Sequence, residues 1–183
     1  MAQFGACYPC FCADGENAGV VIGKLVAANL TVTLASGELW ADDGLAEQLS
    51  EFANGSVAME TDDMVDDVAS KIYGATVTEG EVIYSKDDTP PRGAFGYYQT
   101  LMRNGQKFYR GYFLPRVRAA LGNDNAQTRG NNITFTTTQT TLTVMADDEG
   151  VWRRTKTFSS KADAIAWVQG KCKVSAPAAE PGD

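Results

Sequence analysis

The sequence predicts a mainly β protein with some α: an antiparallel β-sandwich or barrel-like sheet carrying a packed C-terminal helix and a shorter second helix. Three observations carry that expectation. Most of the chain alternates apolar and polar residues in short runs broken by turn formers, the pattern of half-buried antiparallel strands. An Asn104-Gly105 pair stands between two β-rich runs, where it suits a two-residue hairpin turn. Only two segments show helical spacing, and both are short.

Taken in chain order, residues 1–18 read as an N-terminal arm holding three crowded cysteines, Cys7, Cys10 and Cys12. Strands fit residues 19–34, 39–42, 45–52 and 57–61, with Gly37, Gly44 and Asn54-Gly55 as punctuation. Residues 62–73 predict the short helix: four aspartates lie early, Val65, Val68 and Ile72 form the apolar face, and Gly74 stops it. Residues 95–102 and 107–117 are the strands of a hairpin whose Asn104 and Gly105 can take the positive φ values of a type I′ turn. The clearest β run is residues 133–145, rich in threonine and β-branched residues and free of Gly and Pro, which reads as one long strand or as two joined by a kink.

Residues 160–172 predict the C-terminal helix. Ser160 can cap its first turn and Asp163 stands at the third helical position. Ile165, Val168 and Cys172 share one face, and Lys171 and Lys173 suit the negative end of the helix dipole. Ile165 and Trp167 are the expected core anchors, because burying an aromatic of that size contributes several kcal/mol, about 3 to 5 on truncation to alanine. Residues 174–183, with Pro177 and Pro181, read as a flexible tail, leaving residues 19–173 as one domain.

A chain of 183 residues with 44% hydrophobic content is long enough for one proper core. No apolar run approaches the roughly 20 residues that cross a bilayer. Residues 1–12 lack the basic and apolar regions of a secretory signal, so the chain is expected to stay in the cytoplasm where it is made.

Composition argues against catalysis. The chain has no histidine, which closes the commonest route to nucleophile activation and to acid-base work near neutral pH. Paired acids such as Asp62-Asp63, Asp66-Asp67 and Asp87-Asp88 leave a two-carboxylate hydrolase formally open, but adjacent acids in turns are usually solvated. Neither a phosphate-cradling loop nor a dinucleotide fingerprint is present, and Asp147-Asp148-Glu149-Gly150 is a poor calcium loop. Without histidine, a closed zinc site at Cys7, Cys10 and Cys12 would need distant Cys172 as its fourth ligand. Small, partly buried thiols in a reducing compartment are the simpler reading. The expectation is a protein that is not an enzyme and uses no cofactor or metal.

Charge is divided along the chain. Residues 92–130 hold seven basic residues (Arg92, Arg103, Lys107, Arg110, Arg116, Arg118 and Arg129) against Asp124 alone. The remainder holds 9 basic and 22 acidic residues, giving -7 overall. Such polarity suits self-association, whereas overall acidity argues against holding nucleic acid through its phosphates.

Three ordered stretches then point to a family. They are Gly37-Glu-Leu-Trp-Ala-Asp-Asp-Gly-Leu-Ala-Glu47; Gly93-Ala-Phe-Gly-Tyr-Tyr98 with its Asn104-Gly105 turn and Phe108-Tyr109; and Gly150-Val-Trp-Arg-Arg-Thr-Lys-Thr-Phe158 leading into Ala164-Ile-Ala-Trp-Val168. With Gly19-Val-Val-Ile-Gly23 as the opening strand, this set covers about residues 19–172 and resembles the major tail protein family of long-tailed bacteriophages. The resemblance implies a structural virion protein, six copies to a ring, with rings stacked into the tail tube that conducts DNA into the host. It implies other copies of the chain, a tape-measure protein, and tail terminator and distal tail proteins as partners. Double-stranded DNA would pass through the lumen without specific binding, and no membrane would be involved.

On that reading, Arg103, Arg110 and Arg116 are expected to meet Asp42, Asp43, Asp62 and Asp63 of a neighbour, leaving acidic residues to face the DNA. Residues 7–18 and 121–132 are expected to order only on assembly. The competing expectation is a monomeric β-sandwich binding or decoration module of a virion.

Overall fold

Residues 2–41, 44–120 and 137–175 are described by the computed structural model of the chain. Their strands are β1 (Ala2–Ala13), β2 (Val20–Val21), β3 (Leu25–Ala41), β4 (Gly44–Thr61), β5 (Thr76–Thr78), β6 (Glu81–Ile83), β7 (Arg92–Arg103), β8 (Gln106–Ala119), β9 (Thr138–Met145) and β10 (Arg154–Phe158). Helix α1 (Asp66–Tyr73) follows β4, and α2 (Lys161–Lys171) follows β10. The fold is mainly antiparallel β with two helices, as the alternation predicts.

One sheet runs in the order β2-β1-β7-β8-β9-β4-β3, with β10 added to β8, while β5 and β6 form a separate ribbon. The sheet forks at β8. Residues Tyr109 to Phe113 pair with β10, whereas Arg116 to Ala119 pair with β9 along the same edge. Pro115 falls in the gap between these two partners, where its missing N–H costs no ladder bond. A bulge at the same place sets Leu114 opposite Phe95 and Val117 opposite Gly93, so β8 carries one extra residue. The extra residue exchanges the faces of the strand. Leu114 and Val117 both reach the main core in consequence, and Arg116 turns away from it.

Strands β1 and β7 are covered on both faces. Phe11, Phe95 and Tyr97 point into the main core with Val57, Met59, Leu142 and Val144, under α1 residues Val68 and Ile72. The alternate residues Cys10, Cys12 and Tyr98 point into a second cluster beneath α2. Two glycines admit that helix. A Cβ at Gly111 would lie 2.6 Å from Trp167 Cε3, and one at Gly96 would lie 3.0 Å from Cys172 Sγ. The bare backbone at these positions lets α2 approach the sheet closely.

The Asn104-Gly105 turn forms as predicted, with φ of 50° and 78°. Other expectations are corrected. The proposed breaks at Gly37 and Asn54-Gly55 do not end strands: β3 and β4 run through them as one long hairpin, paired from Leu25 with Thr61 to Ala41 with Gly44. A glycine opposite a bulky partner, such as Gly37 beside Leu49, leaves the ladder bonds intact and so weakens a strand without stopping it. Helix α1 begins later than expected, at Asp66, and Val65 is an exposed N-cap instead of part of the apolar face. Gly74 ends it in the left-handed conformation as predicted.

Part of the expected N-terminal arm is a strand. β1 pairs with β7 from Ala2 opposite Met102 to Ala13 opposite Gly93, and Cys10 and Phe11 are fully buried. Aromatic and thiol side chains at alternate positions supply apolar contacts on both faces, which the crowded cysteines had masked in the sequence. Ser160 occupies the N-cap of α2 without a side-chain capping bond. The expected strand at 133–145 is described only as β9, and residues 121–132, Asp42 and Asp43 lie outside the described residues.

Candidate assembly surface

The outer part of the β3–β4 hairpin is an arm. Strand β4 leaves its second partner at Gly55, the last residue paired with β9. Beyond that point the two strands pair only with each other, and every residue of 31–40 and 45–51 is exposed. Pairing broken only by bulges between Thr33 and Leu34 and between Leu39 and Trp40, with β-branched and threonine residues near the root, keeps the arm extended without a layer beneath it. Its composition is unlike that of a solvated ribbon. Leu34, Leu39, Trp40, Leu45 and Leu49 are all exposed, Trp40 by 64% and Leu49 by 62%. Clustered large apolar side chains at this level of exposure mark interaction surfaces, whereas single ones are ordinary.

Acidic residues accompany the apolar ones. Glu38, Glu47 and Glu51 lie on the arm, and Glu38 accepts from Trp40 Nε1 at 3.3 Å and from Gln48 Nε2 at 3.5 Å. The indole is thereby held along its own strand, and Gln48 of β4 reaches the same carboxylate from across the ribbon. At the root, Phe52 stacks on Trp152 with ring centroids 4.7 Å apart and planes within 3°. The Arg153 guanidinium lies 4.7 Å from the Trp152 ring. This stack ties the arm to the segment before β10 and gives it a defined direction.

Several sheet edges remain available among the described residues: β3 pairs only with β4, and β1 and β10 are open in part. β2 covers β1 only at Cys10 and Phe11, so the pairs made between Ala2 and Cys7 lie on the β7 side alone. β10 pairs only with β8. The β1 edge is interrupted by bulges between Phe4 and Ala6 and between Cys7 and Cys10, with Gly5 and Tyr8 both at φ of 62°. Such bulges limit indiscriminate pairing.

The expected contact residues are dispersed. Arg103 is exposed at the end of β7, and Arg110 Nε donates to Thr157 Oγ1 at 3.2 Å on neighbouring β10. Arg116 is engaged within the chain, donating to Asp148 Oδ1 at 2.9 Å and to the Ala146 carbonyl at 3.4 Å. Asp62 Oδ1 accepts from the Lys24 and Asp63 backbone N–H groups at 2.6 and 2.9 Å, and Asp63 Oδ1 accepts from the Met64 N–H at 2.7 Å. Asp62 and Asp63 thus shape the turn after β4.

Ile165 and Trp167 pack against the second cluster but are only partly buried, whereas Ala164, Val168 and Cys172 are fully buried. The expected stripe is rotated: Trp167 sits over the bare backbone of Gly111, and Ala164, Val168 and Cys172 form the buried face of the helix. Trp167 also meets the rings of Phe113 and Phe158, at 6.5 and 6.0 Å. The exposed leucines and Trp40 were the residues sequence reasoning missed. They fall within the expected strands 19–34, 39–42 and 45–52, where their apolar content on both sides of Gly37 looks the same as that of a covered strand.

Burial raises several ionisable groups. It pushes the Cys10 thiol up to about 12 and, with smaller help from Tyr112, the Tyr97 hydroxyl up to about 12. Burial also raises Cys12, Cys172 and Tyr98, the last two further through neighbouring cysteines. All are neutral when protonated, so the folded state keeps protons that the unfolded chain releases. Their contribution to stability is therefore full below the ordinary thiol value of 9.0 and is lost as pH rises toward about 12. Urea midpoints under reducing conditions are expected to fall steadily between about pH 8.5 and about pH 11; a flat profile would show that these groups remain hydrated.

Among the described residues, no three Cys, Asp or Glu side chains form a group able to hold a metal ion, and no helix is long and apolar enough to cross a membrane. No protein-family model and no curated protein matches the chain.

Proposed function

We propose that the chain is the structural subunit of a phage tail tube, assembling with other copies of itself into stacked hexameric rings that conduct DNA. The observation that carries this reading is the protruding β3–β4 arm, whose exposed apolar residues need a partner surface. The arm bears Glu38, Glu47 and Glu51, while the β7–β8 hairpin bears Arg103, Lys107 and Arg110, so opposite charges are available when copies meet. The partly open edges of β1 and β10 are a second route to contact, through strand pairing between neighbouring sheets. Hexameric rings, the tape-measure, terminator and distal partners, and passage of DNA follow from the family resemblance of residues 19–172.

Size-exclusion chromatography over a concentration series, followed by electron microscopy of the concentrated protein, tests the proposal. Rings or tubes of uniform diameter are expected. A chain that stays monomeric at every concentration and salt level would be a binding or decoration module instead.

A further inference from the structure

Three cysteines converge beneath the C-terminal end of α2, in a part of the molecule that the assembly reading does not use. Cys10 and Cys12 are two residues apart on β1, and both enter the cluster that buries Cys172. Cys10 stands opposite Gly96 in the β1–β7 register. Directly opposed Cβ positions lie about 4.5–5.5 Å apart. The Cβ that Gly96 lacks would lie 3.0 Å from Cys172 Sγ, so the Cys172 sulfur fills the slot beside Cys10. Cys172 Sγ donates to the Cys10 carbonyl at 3.7 Å.

The other thiols are engaged elsewhere. Cys12 Sγ donates to the Ala13 and Glu16 carbonyls, both at 3.7 Å, and Cys7 Sγ to the Gly5 carbonyl at 3.6 Å. Cys10 Sγ is turned toward the Tyr8 carbonyl at 3.5 Å. That weak contact is the one a rotation about χ1 gives up as the sulfur swings toward Cys172.

We propose that Cys10 and Cys172 are a redox pair that closes a disulfide between β1 and the end of α2 on exposure to a low-molecular-weight disulfide such as glutathione disulfide. The Cys10 thiolate attacks one reagent sulfur, forming a mixed disulfide and expelling one glutathione thiolate. The Cys172 thiolate then attacks the Cys10 sulfur and expels the second. Two protein thiols are oxidised by two electrons, one reagent disulfide is reduced to two thiols, and the cysteine protons pass to the two departing thiolates.

Complete burial of both sulfurs protects the pair while the helix end is docked. That end is held by the Gly19 N–H on the Lys173 carbonyl at 3.0 Å and by Lys173 Nζ on the Glu16 carbonyl at 2.9 Å. Exchange therefore proceeds through local opening of this short segment, which a reducing cytoplasm would leave without consequence. The bond joins residues 162 apart in sequence and so restricts the unfolded chain strongly. The inference rests on the thiol geometry alone and is independent of the tube reading.

The experiment incubates the intact chain with glutathione disulfide, blocks remaining thiols with N-ethylmaleimide and maps peptides without reduction. Cys7, Cys10 and Cys12 fall on one tryptic peptide, residues 1–24, so fragmentation locates the bond. A Cys10–Cys172 link is expected, with Cys7 and Cys12 not linked to it, together with a higher denaturation midpoint that dithiothreitol reverses. Cys172→Ser should abolish both effects, and Cys7→Ser should leave both. Should the Cys172 variant fail to fold, the wild-type map still decides. Separate labelling of Cys10 and Cys172 after prolonged oxidation, or a dominant link from Cys10 to Cys7 or Cys12, would overturn the proposal.

Discussion

Replacing Trp40 and Leu49 together with aspartate is expected to abolish self-assembly while leaving the fold intact. Both side chains are mostly in water in the single subunit, Trp40 by 64% and Leu49 by 62%, and neither belongs to a core cluster. Exposed substitutions of this kind usually change stability by less than about 0.5 kcal/mol. In an assembled contact each large apolar side chain contributes about 1.5–3 kcal/mol when buried. A carboxylate in its place adds a desolvation penalty of several kcal/mol. Each 1.4 kcal/mol is roughly a tenfold change in affinity, so the double variant should lose contact strength by at least about a thousandfold. Light scattering of parent and variant at equal concentration reads the loss, and urea denaturation checks the fold. Equal assembly by both proteins would remove the arm from the contact. Arg116→Glu should impair assembly far less, because Arg116 already pairs with Asp148 in its own chain.

The second large effect is on stability. Phe95→Ala is expected to cost about 3–5 kcal/mol, a sizeable share of the 5–15 kcal/mol typical of a whole domain. Phe95 is fully buried on β7, faces Leu114 across the strand pair and packs 5.7 Å from the Tyr97 ring. No nearby element is free to collapse into the space, since β1 and β8 hold it from both sides. Trp167→Ala should cost less, about 2–3 kcal/mol, because its ring is partly in water and lies at the outer face of the α2 cluster. Denaturant titration of the two variants orders them. A larger loss at Trp167 would make docking of α2, instead of the interior of the sheet, the principal source of stability.

Local signals carried the features that depend on nearby residues. Asn104-Gly105 tolerates the two positive φ values of its turn wherever it is placed, and Gly74 likewise accepts the left-handed end of α1. Helix α2 lies where Ser160 to Cys172 suggested, because its spacing and lack of breakers are properties of that segment alone. The strand breaks were less legible. Gly37 and Asn54-Gly55 carry turn propensity, but pairing along the whole of β3 and β4 adds a ladder bond at nearly every step and overrides it.

Alternation, helical spacing and turn chemistry thus determined the class of this protein from its sequence: antiparallel strands, one tight hairpin and two helices. The tertiary structure alone decided which faces are buried. The bulge at Pro115 exchanges the sides of β8, Gly111 and Gly96 admit α2 closely enough to displace Ile165 and Trp167 outward, and Arg116 finds Asp148 across a loop. It also left the leucines and Trp40 of the β3–β4 arm without a covering layer, although in sequence they resemble core residues. The physical reason is that hydrophobic pattern specifies which side chains avoid water. Which neighbour covers them depends on strand register and sheet curvature, through contacts between residues far apart in the chain.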